Sequence, residues 1–299
     1  KDGGRTVLIS GCIDTQKVHI SSAIASGYKY MLIVTSDEAK ARKMCDDASF
    51  FNKEAIYYPA KDAIFYSADV HGNQITGERL RCISRIINHS STGEGVLTVV
   101  TTMDGIADRL IPVERFKEAV ITLDYSSEIE PEKLAKKLVA MGFVRTGMVE
   151  DKGQFAIRGG IIDIFSYTDE APVRIELWDT EVDSIRMFDV ESQRSIERLQ
   201  SYSIFPATEY IFTEDELKNG LYNIKKECDR QLECFDYGKR KRTKEQIEAG
   251  NNLNKLVADV ERTGNYEKFT DTIVADTVGL AEYFPEENTL VVLDEPERM

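Results

Sequence analysis

Four short apolar runs near the start of the chain alternate with segments that read as helices, and this alternation limits the fold most. Thr6–Ser10 (TVLIS), Met31–Val34 (MLIV), Ala55–Tyr58 and Val96–Val100 (VLTVV) read as strands, the most uniform of them too apolar to have one wet face, as in a buried parallel sheet. Between them, Asp14–Ala25 and Asp37–Phe51 read as helices, with Ser36 the expected N-cap of the second. Gly77–Asn88 places Leu80, Ile83, Ile86 and Ile87 on one helical stripe. Strand–helix alternation of this kind predicts a parallel α/β sheet.

The pattern changes near Leu123. Pro131–Met141 is an amphipathic helix with proline in its first turn, where the missing N–H costs little. Closely spaced strands follow at Phe143–Val149, Gln154–Arg158, Ile161–Phe165, Val173–Trp178 and Val182–Phe188, and short connections between them predict an antiparallel sheet. Residues 122–206 therefore read as an α+β domain inserted into an α/β domain built from residues 1–121 and 207–299. Glu214–Lys244 reads as a long charged helix interrupted at Gly220 and Gly238, and Leu253–Glu261 as another helix. Thr289–Asp294 (TLVVLD) is a buried-type strand that needs a sheet to join, and the first sheet is the simplest host.

Composition narrows the function. With 299 residues, 42% hydrophobic and 30% charged, the chain has material for roughly two cores and is neither disordered nor fibrous. No apolar run approaches the ~18 residues of a membrane helix. A net charge of −14 argues against a surface that grips nucleic acid throughout, while leaving room for a local basic patch. The densest basic run, Lys239–Lys244, reads as a charged helix face or a nucleic-acid contact. The 5 cysteines are scattered and lack a CxxC, and the 3 histidines have no zinc-ligand spacing, so no metal site and a reducing cytoplasm are expected. The chain opens on Lys1 and closes shortly after an apolar strand, so a piece of a longer protein is expected.

Two segments carry traces of nucleotide chemistry. Gly11–Val18 sits between a predicted strand and a helix, where a phosphate-binding loop of the form GxxxxGK[ST] would lie. Gly11 and Lys17 fit; Gln16 replaces the second glycine, and Val18 the hydroxyl that holds Mg²⁺. An ordinary strand–turn–helix gives the same spacing by chance. Asp294 and Glu295 end the last apolar strand as Mg²⁺-binding carboxylates do, and equally as solvated acids at a strand end do. Together the segments read as the remnant of one nucleotide site without catalytic residues.

The antiparallel block carries a second candidate. Along Val173–Trp178, Val173, Ile175 and Leu177 alternate with Arg174, Glu176 and Trp178, so one face meets the core and the other carries arginine and tryptophan outward. These residue types dominate binding hot spots, although a sheet tryptophan is also often a partly buried cover. Arg158 precedes Gly159-Gly160, which permits a bulge or bend. If all three point to solvent, truncating Arg158, Arg174 or Trp178 is expected to spare the fold.

The stretch Gly153–Glu197, from GQFAIRGGIIDIF to RIELWDTEVDSIRMFDVESQRSIE, closely resembles the bacterial transcription-repair coupling factor family, and the middle motif is otherwise shared with the related UvrB. Tyr57–Leu80 and Val99–Pro112 resemble the same family, so the likeness covers essentially the whole chain. The resemblance implies the family's N-terminal, UvrB-like module: a P-loop-like α/β fold that has lost ATP hydrolysis and kept the surface that recruits UvrA. It further implies a parent that uses ATP and Mg²⁺ to translocate on DNA and reaches RNA polymerase and DNA through its other domains. The alternative is a UvrB-type damage-recognition ATPase fragment, which would have an intact phosphate loop and a tyrosine-rich hairpin. The segment from Pro59 to Gly77 is too short for that hairpin and carries only Tyr66. In the family, two arginines and an aromatic residue carry UvrA recognition; matched motif to motif they fall on Arg158, Arg174 and Trp178, the last where the family often has Phe.

Overall fold

The computed structural model describes residues 6–52, 54–61, 69–235 and 276–298, and between the last two segments residues 247, 248, 250–252, 254, 255, 257, 258 and 273. Its first part contains α1 (Asp14–Ala25), β1 (Tyr30–Thr35), α2 (Glu38–Ser49), β2 (Ala55–Tyr58), α3 (Asp69–Thr92), β3 (Leu97–Thr102), α4 (Met103–Ala107), β4 (Arg109–Leu110) and α5 (Val113–Ala119). The middle contains β5 (Ile121–Asp124), α6 (Pro131–Ala140), β6 (Val144–Arg145), β7 (Gln154–Arg158), β8 (Ile161–Phe165), β9 (Val173–Trp178), β10 (Glu181–Phe188), β11 (Ser195–Arg198) and β12 (Ser201–Ile204). The last part contains α7 (Glu214–Phe235), β13 (Val278–Gly279) and β14 (Thr289–Leu293).

The first sheet is parallel, in the order β14-β1-β3-β2. The last strand of the chain thus returns to the first sheet, beside β1, but as an edge strand rather than a buried one, with Val291 and Leu293 each 54% exposed. The period of two along β1 divides its apolar run between two cores. Tyr30, Leu32 and Val34 pack with Leu80, Ile83 and Ile86 of α3, whereas Met31 and Ile33 pack with Val18 of α1 and Ala41 and Met44 of α2. Burying each such aliphatic side chain contributes about 1.5–3 kcal/mol.

Several local readings change. Thr6–Ser10 is not a strand: its residues are exposed and make no ladder bond among the described residues, because an apolar run supplies propensity but not a pairing edge. The N-cap of α2 is Asp37 rather than Ser36, since the Asp37 carboxylate accepts the Lys40 N–H at 2.9 Å. Gly220 does not interrupt α7. It is buried, and a Cβ there would come within 2.5 Å of Ile273, so the helix tolerates the ~1 kcal/mol propensity cost of glycine where the chain packs closely. Gly238, Tyr66, the Lys239–Lys244 run and parts of the expected Leu253–Glu261 helix lie outside the described residues.

The second sheet runs β11-β10-β9-β8-β7-β6, antiparallel except for the short β6–β7 pair. Its inner face, with Phe155, Ile162, Ile164, Val173, Ile175 and Ile185, packs on Leu134, Ala135 and Leu138 of α6. Helix α6 stops at Gly142, whose φ of +87° suits glycine. Phe143 N–H donates to the Leu138 carbonyl at 3.0 Å and Gly142 N–H to Val139 at 3.0 Å, closing the helix end and turning the chain into the sheet.

A buried ionic knot ties the return segment after β12 to the α/β part. Arg79 of α3 is fully buried and donates to both oxygens of Glu209, to the Pro59 carbonyl at 2.7 Å and to Asp108 at 2.6 Å, with its guanidinium 4.3 Å from the Tyr58 ring centroid. Lys61 Nζ lies 3.0 Å from Glu209. Burial alone would raise the Glu209 carboxyl, but Arg79 and Lys61 overcome it and hold it at about 2.

Candidate functional site

At the C-terminal end of the parallel sheet, four charged side chains from three elements meet. Asp294 and Glu295 leave the end of β14, Lys17 comes from the first turn of α1, and Lys40 comes from the first turn of α2. Lys17 Nζ donates to Asp294 Oδ1 at 2.8 Å and to Glu295 Oε1 at 3.2 Å. Lys40 Nζ pairs with Asp294 Oδ2 at 2.5 Å and Glu295 Oε2 at 3.1 Å. The two ammonium groups, Lys40 first, hold the Glu295 carboxyl at about 2. Hydrogen bonding to Asp294 raises Lys17 against the opposing effect of burial.

The other members of this corner are turned to structural tasks. Gly11 has a φ of +80° in an exposed segment. The Gln16 side chain accepts from Ile13 N–H at 3.3 Å, satisfying a backbone donor at the start of α1. Val18 is fully buried in the core against Met31 and Ile33. Lys40 was not legible as part of this group, because nothing in its spacing relates α2 to a strand some 250 residues later.

The second site is the outer face of the antiparallel sheet. Arg158 ends β7 immediately before a two-residue turn, Gly159-Gly160, rather than a bulge. Gly159 has a φ of +62°, and a Cβ on Gly160 would come within 2.9 Å of the Leu177 carbonyl oxygen. Trp178 ends β9 before the next two-residue turn, in which Asp179 has a φ of 58°. In an antiparallel meander these two turns share one end of the sheet, so Arg158 and Trp178 stand at the same rim. Trp178 is 80% exposed and the Arg158 side chain 43% exposed.

Arg174 lies on the same face but is only 12% exposed. Its Nε and Nη2 donate to the two oxygens of Asp163 at 2.6 and 2.9 Å, and Nη2 also donates to Gln193 at 2.8 Å. Its guanidinium lies 4.2 Å from the Phe188 ring centroid. Arg158 donates one Nη2 bond of 2.7 Å to the same Asp163, whose side chain is 1% exposed. One buried carboxylate thus organises both arginines. The outward orientation expected of Arg174 holds for the backbone; the side chain itself lies flat and is covered. Asp163 was readable in principle, since Ile161, Asp163 and Phe165 alternate with the core residues Ile162 and Ile164. What one sequence lacks is the register, Asp163 opposite Arg174, that joins them.

Among the described residues, no helix is long and apolar enough to cross a membrane, and no group of three or more His, Cys, Asp or Glu side chains is placed to hold a metal ion. Residues 121–210 match the family described as the UvrB interaction domain. The chain is similar to the transcription-repair-coupling factor of Bacillus subtilis (strain 168), with 33% identity over 310 aligned positions covering 100% of this chain and 25% of that protein. It is 34% identical to the transcription-repair-coupling factor of Staphylococcus aureus (strain Mu50 / ATCC 700699) over 240 positions, covering 77% of this chain and 20% of that protein. The chain therefore spans a quarter or less of the length of these relatives.

Proposed function

The chain belongs to the transcription-repair coupling factor family, and on that premise we propose that it is the family's UvrB-like adaptor module, recruiting UvrA to lesion-stalled RNA polymerase for excision repair. The parent is an ATP-dependent DNA translocase, and contacts with RNA polymerase and DNA belong to its other domains. The observation that carries the adaptor reading is the rim of the antiparallel sheet. There Trp178, 80% exposed, shares a rim with Arg158 two strands away, whose guanidinium makes one bond, to Asp163, among the described residues. A solvent-exposed tryptophan leaves apolar area unburied and is a natural anchor for a partner; a guanidinium on the same rim suits a carboxylate. Arg174 supports the same face from below.

The module itself does not turn over ATP. Phosphoryl transfer needs a metal and a phosphate cradle at the strand end. Here Asp294 and Glu295 are each paired to two ammonium groups, Val18 offers no hydroxyl, and Gln16 brings a side chain to the turn where the loop needs bare backbone. These residues do not fit a Mg²⁺–nucleotide, and the same corner weighs against a UvrB-type ATPase.

Calorimetric titration of UvrA into the wild-type chain and into Arg158→Ala and Trp178→Ala tests the adaptor reading. Loss of one hot-spot side chain corresponds to about 2 kcal/mol, or roughly thirtyfold in affinity. Wild-type affinity in both folded variants would remove the site, and absence of binding by the wild-type chain would remove the function.

A further inference from the structure

Strand register lines up three arginines directly opposite one another on the outer face of the second sheet. Arg174 on β9 is opposite Arg186 on β10, and Arg186 is opposite Arg198 on β11. Asp163 on β8 completes the row at its other end. Directly opposed residues point to the same face, and like charges so placed destabilise a sheet. Two of the three are neutralised from within: Arg174 by Asp163, and Arg186 by Glu176, one row along. The Arg198 side chain is exposed and has no ion pair or hydrogen bond among the described residues, although its strand is an exposed edge where any polar residue would serve.

We infer that Arg198, with Arg186 behind it, extends the docking face to the β11 edge and meets an acidic patch on the protein partner. This rests on the adaptor reading above and adds a second contact region to it. Strands lie about 4.8 Å apart, so Arg198 stands about 10 Å from Arg174 and four strands, about 19 Å, from Arg158. That span suits one standard protein interface. On a chain of net charge −14, an unpaired guanidinium continuous with a partly exposed arginine row attracts an acidic partner and orients its approach. Every residue of β11 is exposed, so Arg198 is open to a partner.

The test is stopped-flow association of purified UvrA with the wild-type chain, Arg198→Glu, Arg198→Lys and Arg158→Ala at several ionic strengths, with a thermal melt of each. Arg198→Glu should associate about tenfold more slowly at low salt and lose part of the salt dependence. Its melting temperature should be unchanged or higher, because Arg186 gains an opposite charge. Arg198→Lys should keep the wild-type rate. If Arg158→Ala weakens binding while Arg198→Glu associates like wild type, this inference falls and the adaptor site stands. If neither variant changes binding, the adaptor site falls and the inference with it. Slower association by an Arg198→Glu variant that also melts lower would assign the residue a structural role and overturn the inference.

Discussion

Arg174→Ala separates a side chain that builds the outer face of the antiparallel sheet from one that merely projects from it. Wild-type Arg174 makes two charge-assisted bonds to Asp163 and one bond to Gln193, and covers the Phe188 ring. Alanine would leave Asp163, 1% exposed, with only the single Arg158 bond. Removing one partner of a buried ion pair costs about 3–5 kcal/mol, because the remaining charge stays desolvated. For a unit of this size that is a fall in melting temperature on the order of 10 °C. Arg158→Ala gives up one bond from a half-exposed side chain and should cost about 1 kcal/mol or less, and Trp178→Ala should cost as little, since the ring is largely in water already. Thermal melts followed by circular dichroism at neutral pH measure all three. An Arg174→Ala protein melting within about 2 °C of wild type would refute the reasoning, because Asp163 would then not depend on Arg174. Weaker UvrA binding by Arg174→Ala is accordingly to be read together with its melt, as a change in the support of the face.

The ionic knot gives a pH signature: Glu209→Gln should lower stability by about 3 kcal/mol or more at neutral pH. Because the Glu209 carboxyl is held at about 2 against an ordinary 4.5, its contribution is complete above about 4.5 and is lost as pH falls toward 2, so the difference between wild type and variant should shrink across that window in denaturant titrations. Ile175→Asp buries a carboxylate in the core of the antiparallel sheet, where Ile175 has no exposure, and should leave little folded protein on size exclusion or by circular dichroism. Phosphate release by the isolated chain should match background and be unaltered in Lys17→Ala; turnover abolished by that substitution would establish a working nucleotide site. Binding to undamaged duplex at physiological salt should be weaker than micromolar in a fluorescence-anisotropy titration, given the acidic chain.

Much of the architecture was legible because the hydrophobic effect writes its period into the sequence. The Leu80, Ile83, Ile86 and Ile87 stripe and the alternation along Val173–Trp178 follow from which faces must leave water. The departures of Gln16 and Val18 from the GxxxxGK[ST] pattern were equally plain, since such a pattern depends on residue types at fixed spacing. Local chemistry could not supply partners across long separations. Whether TVLIS finds an edge, whether Lys40 reaches Asp294, and whether Arg174 meets a partner's carboxylate or the chain's own Asp163 depend on register and topology. An arginine on the outer face of a strand reads the same whether its guanidinium is free or clamped. Only the neighbouring strand decides, because ion pairing acts over a few ångströms between residues that lie anywhere along the sequence.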